Sequence, residues 1–113
     1  MAWNNKGVAL NKLGKSDDAL KAFDKVLENN PHNLSMVWAI KGNILVKLNK
    51  SDEALKAYDK AIKIDLQYSD AWDGKGEALV KLGKSDEAMK AYDKVIEIDA
   101  HDSHALKGKR NFI

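Results

Sequence analysis

Cysteine is absent from the 113 residues, which excludes a disulfide framework, a thiolate nucleophile and a thiolate zinc site, and suits a reducing compartment. Long apolar runs are missing too. The longest clean aliphatic stretch, Ile44-Leu45-Val46, falls far below the roughly 20 residues that cross a bilayer, and Met1 is followed by Ala-Trp-Asn-Asn, not by a basic and then apolar leader. Neither sign of charge dominates: 19 Lys and Arg stand against 17 Asp and Glu, and a net charge of +2 is too small to announce nucleic acid or an anionic membrane. Glycine never clusters into a phosphate-binding loop, and proline occurs once, at Pro31. An apolar share of 44% is ordinary for a folded chain of one domain, so the expectation is a soluble, cytoplasmic protein with a modest core.

What the chain does contain is repetition. KLGKSDDALKAFDK from Lys12 to Lys25 returns as KLNKSDEALKAYDK from Lys47 to Lys60 and as KLGKSDEAMKAYDK from Lys81 to Lys94. Ala19, Ala54 and Ala88 are therefore 35 and 34 residues apart, the period of stacked helical hairpins. Before each corner, large residues recur at intervals of three and four around a mid-helix glycine: Trp3, Gly7, Leu10 and Leu13; Trp38, Gly42, Leu45 and Leu48; Trp72, Gly76, Leu79 and Leu82. That glycine costs about 1 kcal/mol against alanine, and its return in every copy suggests a close helix approach that offsets the cost.

Gly14, Asn49 and Gly83 stand where a helix ends in a left-handed residue. Two residues on, Ser16, Ser51 and Ser85 are expected to cap the next helix, whose positive end is favoured by the acidic pairs that follow. Each second helix has one apolar face, Ala19, Leu20 and Phe23 in the first copy, with the alanine expected to face the paired glycine and the aromatic to fill the gap to the next hairpin. A single hairpin cannot bury these faces alone, so neighbours must stack. Pro31 gives the first link a hard stop; Leu66 and Ala100 at the equivalent sites do not, so the helices before them are expected to be free to run on. Repeats are read at about 1–33, 35–68 and 69–102, followed by a closing helix at 103–113 in which Leu106 takes the tryptophan position and Arg110 the glycine position.

The pattern Trp-x-x-x-Gly-x-x-Leu, then alanine and an aromatic four residues later, resembles the tetratricopeptide repeat over nearly the whole chain. The resemblance implies an all-α α-solenoid, a right-handed superhelix of three hairpins plus a C-terminal closing helix. It also implies a scaffold or adaptor that holds a peptide or protein partner in a concave groove, with no enzyme activity and no cofactor. The groove would be lined by Asn4, Val8 and Lys12, by Ala39, Asn43, Val46 and Lys47, by Asp73, Glu77, Val80 and Lys81, and by Lys107. Formal charge by repeat runs +1, +2, −3 and +2, which puts an acidic zone over the third. The best-understood groove of this family grips the carboxylates of chaperone tails with Lys and Asn on the first inner helix, Asn on the second, and Lys and Arg on the third. Those five positions here hold Asn4, Val8, Ile40, Asp70 and Gly74, none of which matches, and a carboxylate facing Asp70 and Asp73 would be repelled. A basic or amide-rich partner, or an apolar strip meeting Val8, Val46 and Val80, fits better.

Other chemistries fare worse. His101 and His104 lie near Asp99 and Asp102 but lack a third ligand with metal-site spacing. Asp102-Ser103-His104 has the letters of a catalytic triad, yet consecutive side chains point apart. Trp3, Trp38 and Trp72 sit at hairpin-core spacing and not as stacking platforms, and the acidic third repeat argues against single-stranded RNA. Self-association is the alternative reading, through helix exchange or head-to-tail stacking, suggested by the apolar Phe112-Ile113 and by the links without proline.

Overall fold

The computed structural model describes residues 2–29 and 34–99, with side chains from Lys6 to Glu28 and from Leu34 to Asp99. Among them are six helices: α1 (Ala2–Lys12), α2 (Ser16–Asn29), α3 (Ser35–Lys47), α4 (Ser51–Ile64), α5 (Ser69–Lys81) and α6 (Ser85–Ile98). The expected closing helix at 103–113, with His101, His104 and Lys107, lies outside the described residues.

All three corners within hairpins have one geometry. Gly14, Asn49 and Gly83 adopt φ of 78°, 61° and 76°, the left-handed region expected of them. The next amide then reaches back five residues: Lys15 to the Leu10 carbonyl at 2.9 Å, Lys50 to Leu45 at 2.8 Å, and Lys84 to Leu79 at 2.9 Å. Gly14, Asn49 and Gly83 donate to Asn11, Val46 and Val80, which completes the paired-bond helix cap that satisfies two orphan carbonyls at once. The serines behave differently from expectation. At the second and third corners the capping position falls on Lys50 and Lys84, neither with a side-chain cap bond, while Ser51 and Ser85 are already the first helical residues. The corner is one residue shorter than serine capping requires, because the lysine that closes one helix also opens the next.

The link between the second and third hairpins stops α4 without proline. Asp65 turns extended (φ −139°, ψ 100°), its carboxylate accepts from the Gln67 amide at 3.0 Å, and the Trp72 indole N–H donates to the Leu66 carbonyl at 3.0 Å. An aspartate turn and an indole clamp thus replace the ring that the sequence lacks there.

Each hairpin packs internally, α1 on α2, α3 on α4 and α5 on α6, and successive hairpins join through α2 on α3 and α4 on α5. Across hairpins α3 also packs against α5. Among the described residues no comparable contact joins α4 to α6, so the second and third hairpins curve with α3 and α5 on the inner wall. Three core clusters follow the repeats, centred on Phe23, Tyr58 and Tyr92. These rings, not the alanines, face the mid-helix glycines. A Cβ built on Gly7 would meet Phe23 at 2.9 Å, one on Gly42 would meet Tyr58 at 2.7 Å, and one on Gly76 would meet Tyr92 at 2.8 Å. The recurring glycine lets an aromatic ring lie flat against the helix backbone, where the ring's burial offsets the propensity cost.

Candidate functional site

Tyr58 builds the centre of the inner wall. Its ring leaves α4, passes between Gly42 of α3 and Gly74 of α5, and places its hydroxyl to donate to the Asn43 side-chain oxygen. A Cβ on Gly74 would overlap Cε1 and Cζ of that ring and come within 2.8 Å of the hydroxyl oxygen. Only glycine at 74 lets a side chain from the second hairpin emerge through the third. The role was not anticipated, although Gly74-x-Gly76 was the available signal, a doubled glycine that the other copies lack.

Asp73 and Glu77 stand one turn apart on α5, with Asp73 half-buried and Glu77 exposed. Their charge reaches both tyrosines. Burial first, then Glu77 and Asp73, push the Tyr58 hydroxyl well above its ordinary range. Burial, then Asp73 and Glu77, push Tyr92 up to about 12. Both hydroxyls therefore stay protonated at neutral pH and serve as hydrogen-bonding groups set in a negative field. With the tyrosines themselves buried, the wall around them offers amide and carboxylate groups, chemistry suited to holding an amide or a cation.

The remaining groove residues divide by exposure. Asn43, Lys12, Lys47 and Lys81 are exposed, and the Lys47 ammonium donates to the Asn11 side chain on α1 at 3.4 Å. Val80 is 41% exposed, whereas Ala39 and Val46 are buried at 3% and 7%, and Val8 is half-buried against the first core. The three valines thus do not form one continuous apolar strip, because Val46 is taken up by the core around Tyr58. Asn4 belongs to α1, but its side chain, like Lys107, lies outside the described residues. Among the described residues no group of three or more His, Cys, Asp or Glu is placed to hold a metal ion. No helix there is long and apolar enough to cross a membrane.

Trp38 and Trp72 are half-buried against the core, with the Lys41 and Lys75 ammoniums 5.3 and 5.4 Å from their ring centroids. Family models described as tetratricopeptide repeat match residues 1–33 and 41–103. The chain belongs to the tetratricopeptide repeat family. Solved tetratricopeptide domains share its architecture. The first such domain of Spaghetti (RPAP3), bound to the HSP90 peptide SRMEEVD, is 25% identical with a TM-score of 0.94, covering 97% of this chain and 86% of that one. The second such domain of human RPAP3, in complex with the HSP70 peptide SGPTIEEVD, is 25% identical with a TM-score of 0.91, covering 96% and 90%. The Arabidopsis OM64 domain, 18% identical over 97% and 90% of the two chains with a TM-score of 0.93, shares the fold. No curated protein matches the sequence.

Val8 and Ile40 pack into the first core, Gly74 yields its space to Tyr58, and Asp70 is an exposed acid at the start of α5.

Proposed function

We propose that this protein is an interaction scaffold whose inner wall holds a peptide or partner helix with a basic or amide-rich face. The observation that carries the reading is the constellation on α3 and α5, with Asp73 and Glu77 flanking the Tyr58–Asn43 pair. The likeness to domains solved with peptides supports the scaffold role. The chemistry separates it from them: a carboxylate tail would meet two acids and find no cation at residues 40, 70 or 74. Lys12, Asn43, Lys47, Glu77, Val80 and Lys81 supply the open contacts beside the half-buried Asp73, Val8, Ala39 and Val46 back them, and the sequence register alone assigns Asn4 and Lys107 to the same surface.

Partner capture from the source cell followed by Asn43→Ala and Glu77→Ala tests the groove. Each variant is expected to weaken binding by about tenfold, the loss of one charge-assisted or buried hydrogen bond; undiminished binding by both would remove the groove as the site. Titration with SRMEEVD is expected to give no saturable binding, and micromolar binding would overturn the rejection of the clamp.

A second reading, self-association, is favoured by Leu13. It is 71% exposed at the register where Leu48 packs against the preceding hairpin's core. A second copy presenting a hairpin to that edge would cover it. Light scattering across concentration is expected to show a mass increase that Leu13→Glu abolishes; a monomeric mass at high concentration ends this reading.

A further inference from the structure

A furrow between α2 and α4 opens on the side of α3 away from the groove. Trp38, Lys41 and Leu45 lie about 140–160° around the helix from Asn43, at 100° per residue. The cavity there measures about 720 Å³, with an apolar floor of Leu20, Trp38 and Leu45. Of its acids, Asp24 is paired with Lys41 at 2.7 Å, and Asp59 is paired with Lys75 at 2.8 Å. Glu53 is the remaining acid, and it faces four rim lysines, Lys50, Lys56, Lys60 and Lys63, for which the described residues show no ion pair. Four ammoniums against one carboxylate leave an excess of positive charge around an apolar slot, which attracts a ligand that combines carboxylates with a bulky apolar group.

The same furrow recurs between α4 and α6, floored by Leu55, Trp72 and Leu79, but at about 560 Å³. Glu97, in the register of Lys63, lies outside that lining but pairs with Lys94 at 3.4 Å, which leaves Lys84 and Lys90 against Glu87. The repeat therefore supplies an internal comparison: one floor in two copies, with excess positive charge concentrated at the first. Nucleic acid fits less well. Glu53 interrupts the lysines along which phosphates would run.

We propose that the furrow between α2 and α4 is a second docking site, distinct from the inner groove, for an acidic peptide segment that seats a bulky apolar side chain against Trp38 and sets carboxylates against Lys56, Lys60 and Lys63. A scaffold so built holds two partners of opposite charge on opposite faces.

The test titrates the whole chain with a fluorescein-labelled peptide in which Leu-Phe is flanked on both sides by Asp and Glu, followed by anisotropy at low and at moderate salt. Saturable binding that weakens at least about tenfold in Lys56→Glu/Lys60→Glu/Lys63→Glu, and weakens with added salt, is the expected result. Lys90→Glu/Lys94→Glu, which reverses the other furrow, and Asn43→Ala, which alters the inner groove, are each expected to leave Kd within about twofold. Helix content by circular dichroism is expected to stay intact in all of these variants, so that a loss of binding reads on charge. Three results would overturn the proposal: no saturable binding at low salt, equal loss in the two furrow variants, or tighter binding of an oligothymidine or of phosphatidylserine vesicles that disappears in the same triple variant. Failure of the inner groove leaves this result untouched, because its readout uses a different face and a different probe.

Discussion

Gly74→Ala puts two opposed effects on one atom. In an exposed helix interior the change would stabilise by about 1 kcal/mol, since alanine loses less backbone entropy. Here the new methyl lands on the Tyr58 ring, which is 1% exposed, backed by Gly42 on its other side and anchored through its hydroxyl to Asn43. A ring held at three points cannot swing aside, so either α5 moves off α4 or the ring leaves its rotamer. Overpacking of this kind costs about 1–3 kcal/mol, and the constraint places this site at the upper end. The net expectation is a loss of about 1–2 kcal/mol. For a domain of this size that lowers Tm by roughly 5–10 °C, readable by circular dichroism with a matching urea midpoint. The same substitution in a Tyr58→Leu background meets no ring and is expected to be neutral or stabilising, a coupling of about 2 kcal/mol in the double-mutant cycle. A Gly74→Ala protein as stable as the parent while Tyr58 is intact would refute the wedge.

Gly83→Ala isolates the opposite cause: nothing lies within 4 Å of the added methyl, but φ is +76°, so a loss of about 1 kcal/mol is expected from backbone strain alone, and an unchanged urea midpoint would contradict it. Trp72→Phe keeps an aromatic ring but deletes the donor to the Leu66 carbonyl; about 1 kcal/mol is expected to be lost, with faster limited proteolysis within 65–68, and unaltered cleavage there would deny the indole its clamping role. Tyrosine ionisation sets an alkaline limit. The Tyr92 hydroxyl is raised from 10.0 to about 12 and Tyr58 is raised as well, so their contribution is fully present below the unfolded value near 10 and is lost as pH climbs through the folded values. The urea midpoint is expected to fall over that range, less steeply in Tyr92→Phe, and a flat profile would show that the hydroxyls are not buried as described.

The three hairpins and the left-handed corners were readable because each rests on a local rule that acts three times in one chain, whereas the partner of the mid-helix glycine was not, since a ring and not the expected alanine lies against it. Asn49 could be assigned φ > 0 because Gly14 and Gly83 stand at its register. Serine capping failed for a reason no propensity contains: the Lys15, Lys50 and Lys84 amides bond backward to Leu10, Leu45 and Leu79, and this uses up the residue that a serine cap would need between helices. The stop after α4 was unreadable because it depends on the Trp72 indole reaching back to Leu66, a contact between a side chain and a backbone six residues earlier. Ala39 and Val46 show the same limit. Their register puts them on the inner face, and only the position of the Tyr58 ring decides that they are covered.

A 34-residue register turns the second and third hairpins into a comparison of like with like, and it locates what distinguishes this chain from a generic stack. The core positions barely change: Ala54 and Ala88, Tyr58 and Tyr92, Leu45 and Leu79 are equivalent and buried. The departures fall on the two faces. On the inner wall Ala39 becomes Asp73, Ile40 becomes Gly74 and Asn43 becomes Glu77, which together open the passage for Tyr58 and make its surroundings negative. On the outer side Lys63 becomes Glu97, which pairs with Lys94 and lowers the positive charge beside the second furrow relative to the first. Stability alone would tolerate any polar residue at the exposed members of these pairs, since isolated surface charges contribute less than about 1 kcal/mol. On the reading proposed above, the acids of α5 and the lysines of α4 instead serve two surfaces that each select a partner of the opposite charge.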